Sequence, residues 1–186
     1  MPDNCERLAG KDPLKDLYVN WDEYHRTIEQ LALTIHESGW EFDSMLCLAR
    51  GGLRVGDVLS RIYDMPLAIL AASSYREAAG TRQGELDIGE FITMTGGTLH
   101  GKVLLVDDLV DSGVTLTRVI DHLKSAYSEI SEVRTAVLWY KACSSIQPDF
   151  YVMYLASSPW IHQPFEVYDA MGPEKLAARL RGGATR

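Results

Sequence analysis

Residues 103–116 read VLLVDDLVDSGVTL, and the order of residue types in that stretch decides the fold. Lys102 to Val106 is a short run in which no interior position is polar, the pattern of a strand buried on both faces. Asp107, Asp108 and Asp111 then crowd into one turn, Ser112-Gly113 breaks the chain, and Leu116, Val119, Ile120 and Leu123 recur at helical spacing. In α/β sheets ligands collect at the carboxyl ends of strands, so this turn is the first place to look for chemistry. Gly113 allows close backbone approach, and a helix beginning near Thr115 offers unpaired N–H groups beside the hydroxyls of Ser112 and Thr115. One phosphate fits such a place. The carboxylates cannot bind phosphate themselves. Their partners are hydroxyl protons, a divalent cation, or positive charge developing on a reacting carbon.

The same unit recurs outward from this stretch. SMLCLA at 44–49 is an apolar run closed by Arg50-Gly51-Gly52, and Val55, Val58, Leu59 and Ile62 follow at helical spacing. LAILAA at 67–72, VRTAVLWY from Val133 and FYVMYL from Phe150 repeat the strand signal. Upstream, Asn20 is a good N-cap with Glu23 three residues on, ahead of a stripe of Tyr24, Ile28, Leu31 and Ile35. Pro173 to Arg181 reads as a short helix. Apolar strands alternating with amphipathic helices predict an α/β fold, with roughly five parallel strands. Between Tyr75 and Gly101 the sequence turns rich in Gly, Thr and charge, with only a short FITM strand signal, which suits a mobile lid better than a core element. Asp87 and Glu90 make it acidic, and it holds no lysine.

At 186 residues the chain fits one domain able to bury a core without staples. Its net charge of −8 gives no general basic footprint for a nucleic-acid backbone, so a phosphate-rich small ligand must be held locally. Three cysteines without C-x-x-C spacing fit a reducing cytosol, and no apolar run reaches the ~20 residues of a membrane span. The five histidines lack any zinc-site spacing. These features lead us to expect a cytoplasmic protein that binds neither membrane nor nucleic acid.

The stretch VLLVDDLVDSGVT closely resembles the motif that binds phosphoribosyl pyrophosphate (PRPP) in type I phosphoribosyltransferases. Receiver domains and haloacid-dehalogenase-type phosphatases also place paired acids at a strand end, but the latter need Asp-x-Asp-x-Thr, which is not the order here. Over about residues 18 to 169 the resemblance follows the bacterial xanthine-guanine phosphoribosyltransferases. It implies a parallel sheet with helices on both faces, a flexible lid and a small hood. The implied layout is a single domain over 1–186, with an N-terminal arm at 1–17, the lid at 75–101, a base-binding hood at 158–169 and a tail at 173–186.

The resemblance also assigns roles. Asp107 and Asp108 would contact the ribose hydroxyls and the metal, with Asp108 as ligand to Mg²⁺, and the loop Asp111, Ser112, Gly113, Val114 and Thr115 would wrap the 5′-phosphate. Arg50 and Gly51, in ARGG at 49–52, would meet pyrophosphate across a cis Arg50–Gly51 bond. Ser74 and Tyr75, in SSYRE, would contact phosphate at the start of the lid. Lys141 would face the base, and an ammonium, which only donates, suits a 6-oxo group and not the amino group of adenine. In SPWIHQPF, Trp160 would stack on the purine and the Ile161 main chain would meet its 2-position; His162 stands where an acid is expected and Phe165 where a tryptophan is. Asp111 is the candidate catalytic proton carrier. The expected partners are PRPP and guanine, xanthine or hypoxanthine, with the protein a homo-oligomer, dimer or tetramer. The alternatives are an orotate or adenine enzyme, which Lys141 and Trp160 argue against, and a PRPP- or nucleotide-sensing regulator of the same fold.

Overall fold

The computed structural model describes residues 16–74, 86–89 and 91–182. The expected arm before Asp16, Tyr75 and most of the first half of the expected lid, Glu90, and the last four residues lie outside them.

Helix α1 (Trp21–Glu37) follows a two-residue strand β1 (Leu17–Tyr18). Its start is fixed as the sequence predicts: the Asn20 side chain accepts from the Glu23 N–H at 2.9 Å, and the Glu23 carboxylate accepts from the Asn20 N–H at 3.0 Å. That reciprocal cap satisfies two otherwise orphaned donors. Strand β2 (Ser44–Ala49) leads into α2 (Gly52–Ile62), and β3 (Leu67–Ser74) pairs antiparallel with β4 (Leu86–Ile88). Strand β5 (Gly101–Val106), a short β6 (Leu109–Val110) and α3 (Val114–Ala126) carry the acidic motif. The chain continues through β7 (Ile130–Lys141), β8 (Phe150–Leu155), β9 (Ile161–His162), a 3-10 turn at Glu166–Tyr168 and α4 (Pro173–Gly182).

The main sheet runs β4-β3-β2-β5-β7, with β8 outside β7, and β6 pairs with β7 beyond the end of β5. Its long strands β3, β2, β5, β7 and β8 are mutually parallel, which agrees with the five expected. A second, two-stranded sheet pairs β1 with β9 in parallel. The FITM segment, Phe91–Met94, forms no strand, and Thr93 makes a single bridge to Ile69. The edge strand is instead β4, a few residues upstream.

Strand alternation divides the core. Met45, Cys47, Leu104, Val106, Ala136 and Leu138 face α1 and α2, while Leu46, Leu48, Val103, Leu105 and Val137 face α3 with Leu116, Val119 and Leu123. This is why the strands read as unbroken apolar runs: each face is covered by helices. Each fully buried aliphatic side chain contributes roughly 1.5–3 kcal/mol. Truncating Leu104 or Leu105, both fully buried, would cost about 2–5 kcal/mol. The carboxyl ends of β2, β5 and β7 are thereby held side by side, and the site is built there.

Candidate active site

The polypeptide leaves β5 at Val106 but does not leave the sheet. Asp107 N–H donates to Ala136 O at 3.1 Å, Leu138 N–H donates to Asp108 O at 2.9 Å, and β6 resumes pairing with β7 at Trp139 and Tyr140. The two aspartates are therefore held by main-chain bonds on a rigid strand end. Asp107 accepts from the Asp108 N–H at 2.9 Å. Asp108 accepts from the Leu109 N–H at 2.9 Å through Oδ1. Burial, and next the neighbouring Asp108 charge, push the Asp107 carboxyl well above the usual carboxylate range. Burial also raises Asp108, with the bond from Gln163 opposing it.

The register of β6 with β7 sets the next pair. Val110 lies opposite Tyr140, so the following residues, Asp111 and Lys141, come side by side, with Lys141 Nζ 3.2 Å from Asp111 Oδ1. Lys141 is almost wholly buried, at 7% exposure, so it is not an ordinary solvated lysine. Beyond Asp111 the Ser112–Thr115 turn enters α3. Gly113 is the N-cap at φ 84°, no side chain caps the helix, and no acid sits in its first turn. Gly113 O accepts the first helical bond, from the Thr117 N–H, which leaves the N–H groups of Val114, Thr115 and Leu116 without an intrahelical partner. Among the described residues only the Val114 N–H has a substitute, a 3.5 Å contact with Ser112 Oγ. The turn is braced from behind: Ser145 donates to Ser112 O from both its N–H and its hydroxyl at 2.9 Å, and a Cβ on Gly113 would lie 2.5 Å from Ile146 Cγ2. The result is an uncapped, positively poled helix end.

The loop after β2 approaches the acids by backbone. A Cβ on Gly51 would lie 2.5 Å from Asp108 Oδ1, and one on Gly52 would lie 2.6 Å from Val106 O. The cis bond in this loop is Ala49–Arg50, not the expected Arg50–Gly51. The reason is local: β2 ends at Ala49 and Gly51 is already helical at φ −56°, ψ −52°, so the change of direction is complete one bond earlier. The Arg50 side chain is not brought to the acids. It is exposed, with its guanidinium 3.9 Å from the carboxylate of Asp169, also exposed. Ser74 ends β3, and Tyr75 lies outside the described residues.

The segment after β8 covers the site. Leu17 N–H donates to Trp160 O at 2.8 Å and Val19 N–H donates to His162 O at 3.0 Å. In a parallel ladder of this register the main-chain groups of Ile161 point away from β1. Trp160 is about half exposed. His162 stacks on Tyr18 at 4.3 Å between ring centroids, and its ring nitrogens lie 3.1 Å from Asp16 and 3.8 Å from Glu166. Phe165 meets Tyr24 edge-on and carries the Arg54 guanidinium over its ring at 4.0 Å. Both residues that depart from the expected pattern thus fasten the hood.

Sequence reasoning passed over Gln163. This residue is 6% exposed, and its Nε2 donates to Asp108 Oδ2 at 2.5 Å. Its Oε1 has no partner among the described residues. A polar amide between two recognisable hood residues and a proline was the available signal, but the partner lies too far away in sequence to be read.

Among the described residues no cluster of three or more His, Cys, Asp or Glu side chains could hold a metal alone. The donor set that does exist is two adjacent, charge-frustrated carboxylates. That set suits Mg²⁺, which is held by one or two carboxylates and completes its shell with substrate oxygens.

A sheet-end acidic turn, an uncapped helix and the aromatic segment after β8 thus meet at one end of the sheet. The chain belongs to the phosphoribosyl transferase domain family, whose model matches residues 20–170. It is similar to the xanthine-guanine phosphoribosyltransferase of Idiomarina loihiensis, with 26% identity over 83% of this chain and 89% of that protein. A purine phosphoribosyltransferase structure from Pyrococcus horikoshii superposes with a TM-score of 0.65 at 31% identity, covering 80% of this chain and 92% of that one. The xanthine-guanine-hypoxanthine phosphoribosyltransferase of Helicobacter pylori shares the fold, with a TM-score of 0.67 at 22% identity over 82% and 96% of the two chains.

Proposed function

We propose that this chain transfers the 5-phosphoribosyl group of PRPP to a ring nitrogen of a 6-oxopurine and releases pyrophosphate. The observation that carries the choice of base is the Lys141–Asp111 pair. A free 6-oxopurine that carries its imidazole proton on N7 presents an O6 acceptor beside an N7–H donor, whereas adenine sets an amino donor in the place of O6. A buried ammonium next to a carboxylate matches the first edge: Lys141 donates to O6, and Asp111 accepts the N7 proton. Trp160 stacks on the purine face, and the outward main chain of Ile161 meets the 2-position.

The 5′-phosphate caps α3, held by the N–H groups of Val114 and Thr115 and the hydroxyls of Ser112 and Thr115. Gly113 admits the close approach. Asp107 and Asp108 take the ribose hydroxyls, and Asp108 holds Mg²⁺, which supplies charge neutralisation to the departing pyrophosphate. Gly51 offers its main chain to the pyrophosphate, Arg50 its charge, and Ser74 and Tyr75 contact phosphate. As the C1′–O bond to pyrophosphate breaks and the C1′–N bond forms, positive charge grows on the sugar, and the nearby carboxylates stabilise it. We read residues 1–186 as one domain working in the cytoplasm as a homo-oligomer. No helix among the described residues is long and apolar enough to cross a membrane.

The test is incubation with PRPP and Mg²⁺ and, separately, guanine, xanthine, hypoxanthine, adenine and orotate. Nucleoside monophosphate is expected from the 6-oxopurines. Product from adenine or orotate alone would overturn the reading of Lys141, and no product from any base would favour a PRPP-sensing regulator.

A further inference from the structure

A buried amide that satisfies only one of its ends is costly. Leaving a buried acceptor unpaired is destabilising, and an apolar side chain of similar length would avoid it. Gln163 carries that cost: its Oε1 is buried without a partner among the described residues, while its Nε2 is spent on Asp108. Stability alone therefore does not account for this side chain, and its position suggests what does. Gln163 follows β9 directly, one residue beyond His162 and two beyond Ile161, in a segment pinned on one side by the β1 ladder and on the other by Phe165. Its amide crosses from the hood to the acid turn, a contact between residues far apart in sequence.

Asp108 is thereby gripped at both oxygens, by the Leu109 N–H on Oδ1 and by Gln163 on Oδ2, with the Gly51 backbone packed against the carboxylate. Each oxygen keeps a lone pair for a ligand, but the plane of the group is fixed by a side chain that moves only with the hood. We infer that Gln163 is a positioning residue that couples the two substrate sites: a base seated in the hood orients Asp108 for PRPP and Mg²⁺, and PRPP and Mg²⁺ on Asp108 steady the hood for the base. This rests on the proposed reading of the hood and the acid turn. Such coupling is reciprocal, so either ligand must tighten the other by the same factor.

The experiment is calorimetric titration of PRPP with Mg²⁺, with and without saturating 9-deazaguanine, a base whose reacting position is carbon and which therefore binds without turnover. In the wild type the analogue should tighten PRPP binding severalfold. Gln163→Met keeps the length and removes the donor; it should weaken PRPP binding about tenfold, as expected for a lost bond to a charged group, and reduce the tightening to less than twofold. The affinity for 9-deazaguanine alone should change by less than twofold, a split that general loosening of the fold would not produce. Gln163→Glu sets like charge against Asp108 and should weaken PRPP binding further, which gives a second reading if the methionine variant folds poorly. Wild-type affinity and coupling in both variants would overturn the role of Gln163 while leaving the transferase reading intact. Failure of the wild type to bind PRPP would remove both.

Discussion

Lys141 Nζ and Asp111 Oδ1 lie 3.2 Å apart because the ladder between β6 and β7 delivers their neighbours, Val110 and Tyr140, to the same level. The cation proposed to select the base and the carboxylate proposed to handle its proton are thus positioned by main-chain hydrogen bonds. Neither depends on a mobile loop.

Replacing Lys141 with Met should lower kcat/KM for the 6-oxopurines about 10- to 100-fold, the effect of one hydrogen bond to a charged group. The loss for adenine should be much smaller, because the ammonium offers it nothing. Steady-state rates with both bases measure the ratio, and an equal loss for both would contradict the assignment.

Asp111→Asn keeps the shape and removes the proton exchange. Turnover should fall about 10²- to 10⁴-fold. PRPP affinity, measured by calorimetry, should stay within a few-fold of the wild type.

The acid pair should make the ligand-free protein less stable as pH rises. The folded-state pKa values of Asp107 and Asp108 are raised above their unfolded values near 3.8, so the native state holds protons that the unfolded chain releases. Stability is then greatest below that value and declines as pH climbs through the raised native values. Asp107→Asn removes part of this slope. In EDTA its melting temperature should exceed that of the wild type at pH 8, by roughly 2–4 °C for each kcal/mol relieved, and the gap should close at pH 4. The same variant should be almost inactive, and a lower melting temperature at pH 8 would show that the repulsion is not felt.

Cys47 is fully buried against α2, and burial, then the Asp107 charge, push its thiol up to about 12. Iodoacetamide at pH 8 should leave the Cys47 peptide unmodified in the native protein and alkylate it in guanidinium, as read by mass spectrometry.

Gly51→Ala should disable the site without unfolding the domain. The new methyl would lie 2.5 Å from the Asp108 carboxylate, so the carboxylate or the loop must shift. PRPP binding should weaken at least tenfold, while the far-UV circular dichroism spectrum is retained.

Much of this site was legible in the sequence because its parts are local. The acidic turn, the Ser-Gly entry into α3 and the Asn20 cap each lie within a few residues, and their chemistry follows from spacing. The lysine at the end of β7 could be placed by resemblance, but its burial and its contact with Asp111 depend on strand register, which no local pattern encodes. Gln163 was illegible for the same reason. The position of the cis bond depended on where β2 stops, and strand ends are the least certain feature of a hydrophobic pattern. FITM looked like a strand because it is apolar, yet Phe91 is largely exposed and only Thr93 pairs.

The short ladder between Leu17–Tyr18 and Ile161–His162 has a temporal side. On the ribosome, the segment holding Leu17 is made early, and the partner that satisfies it emerges only after every strand of the main sheet has been synthesised. The central layers can therefore pair before this flap closes on β1. A released chain truncated before residue 161 would keep every strand of the main sheet and lose the partner of Leu17 and Tyr18.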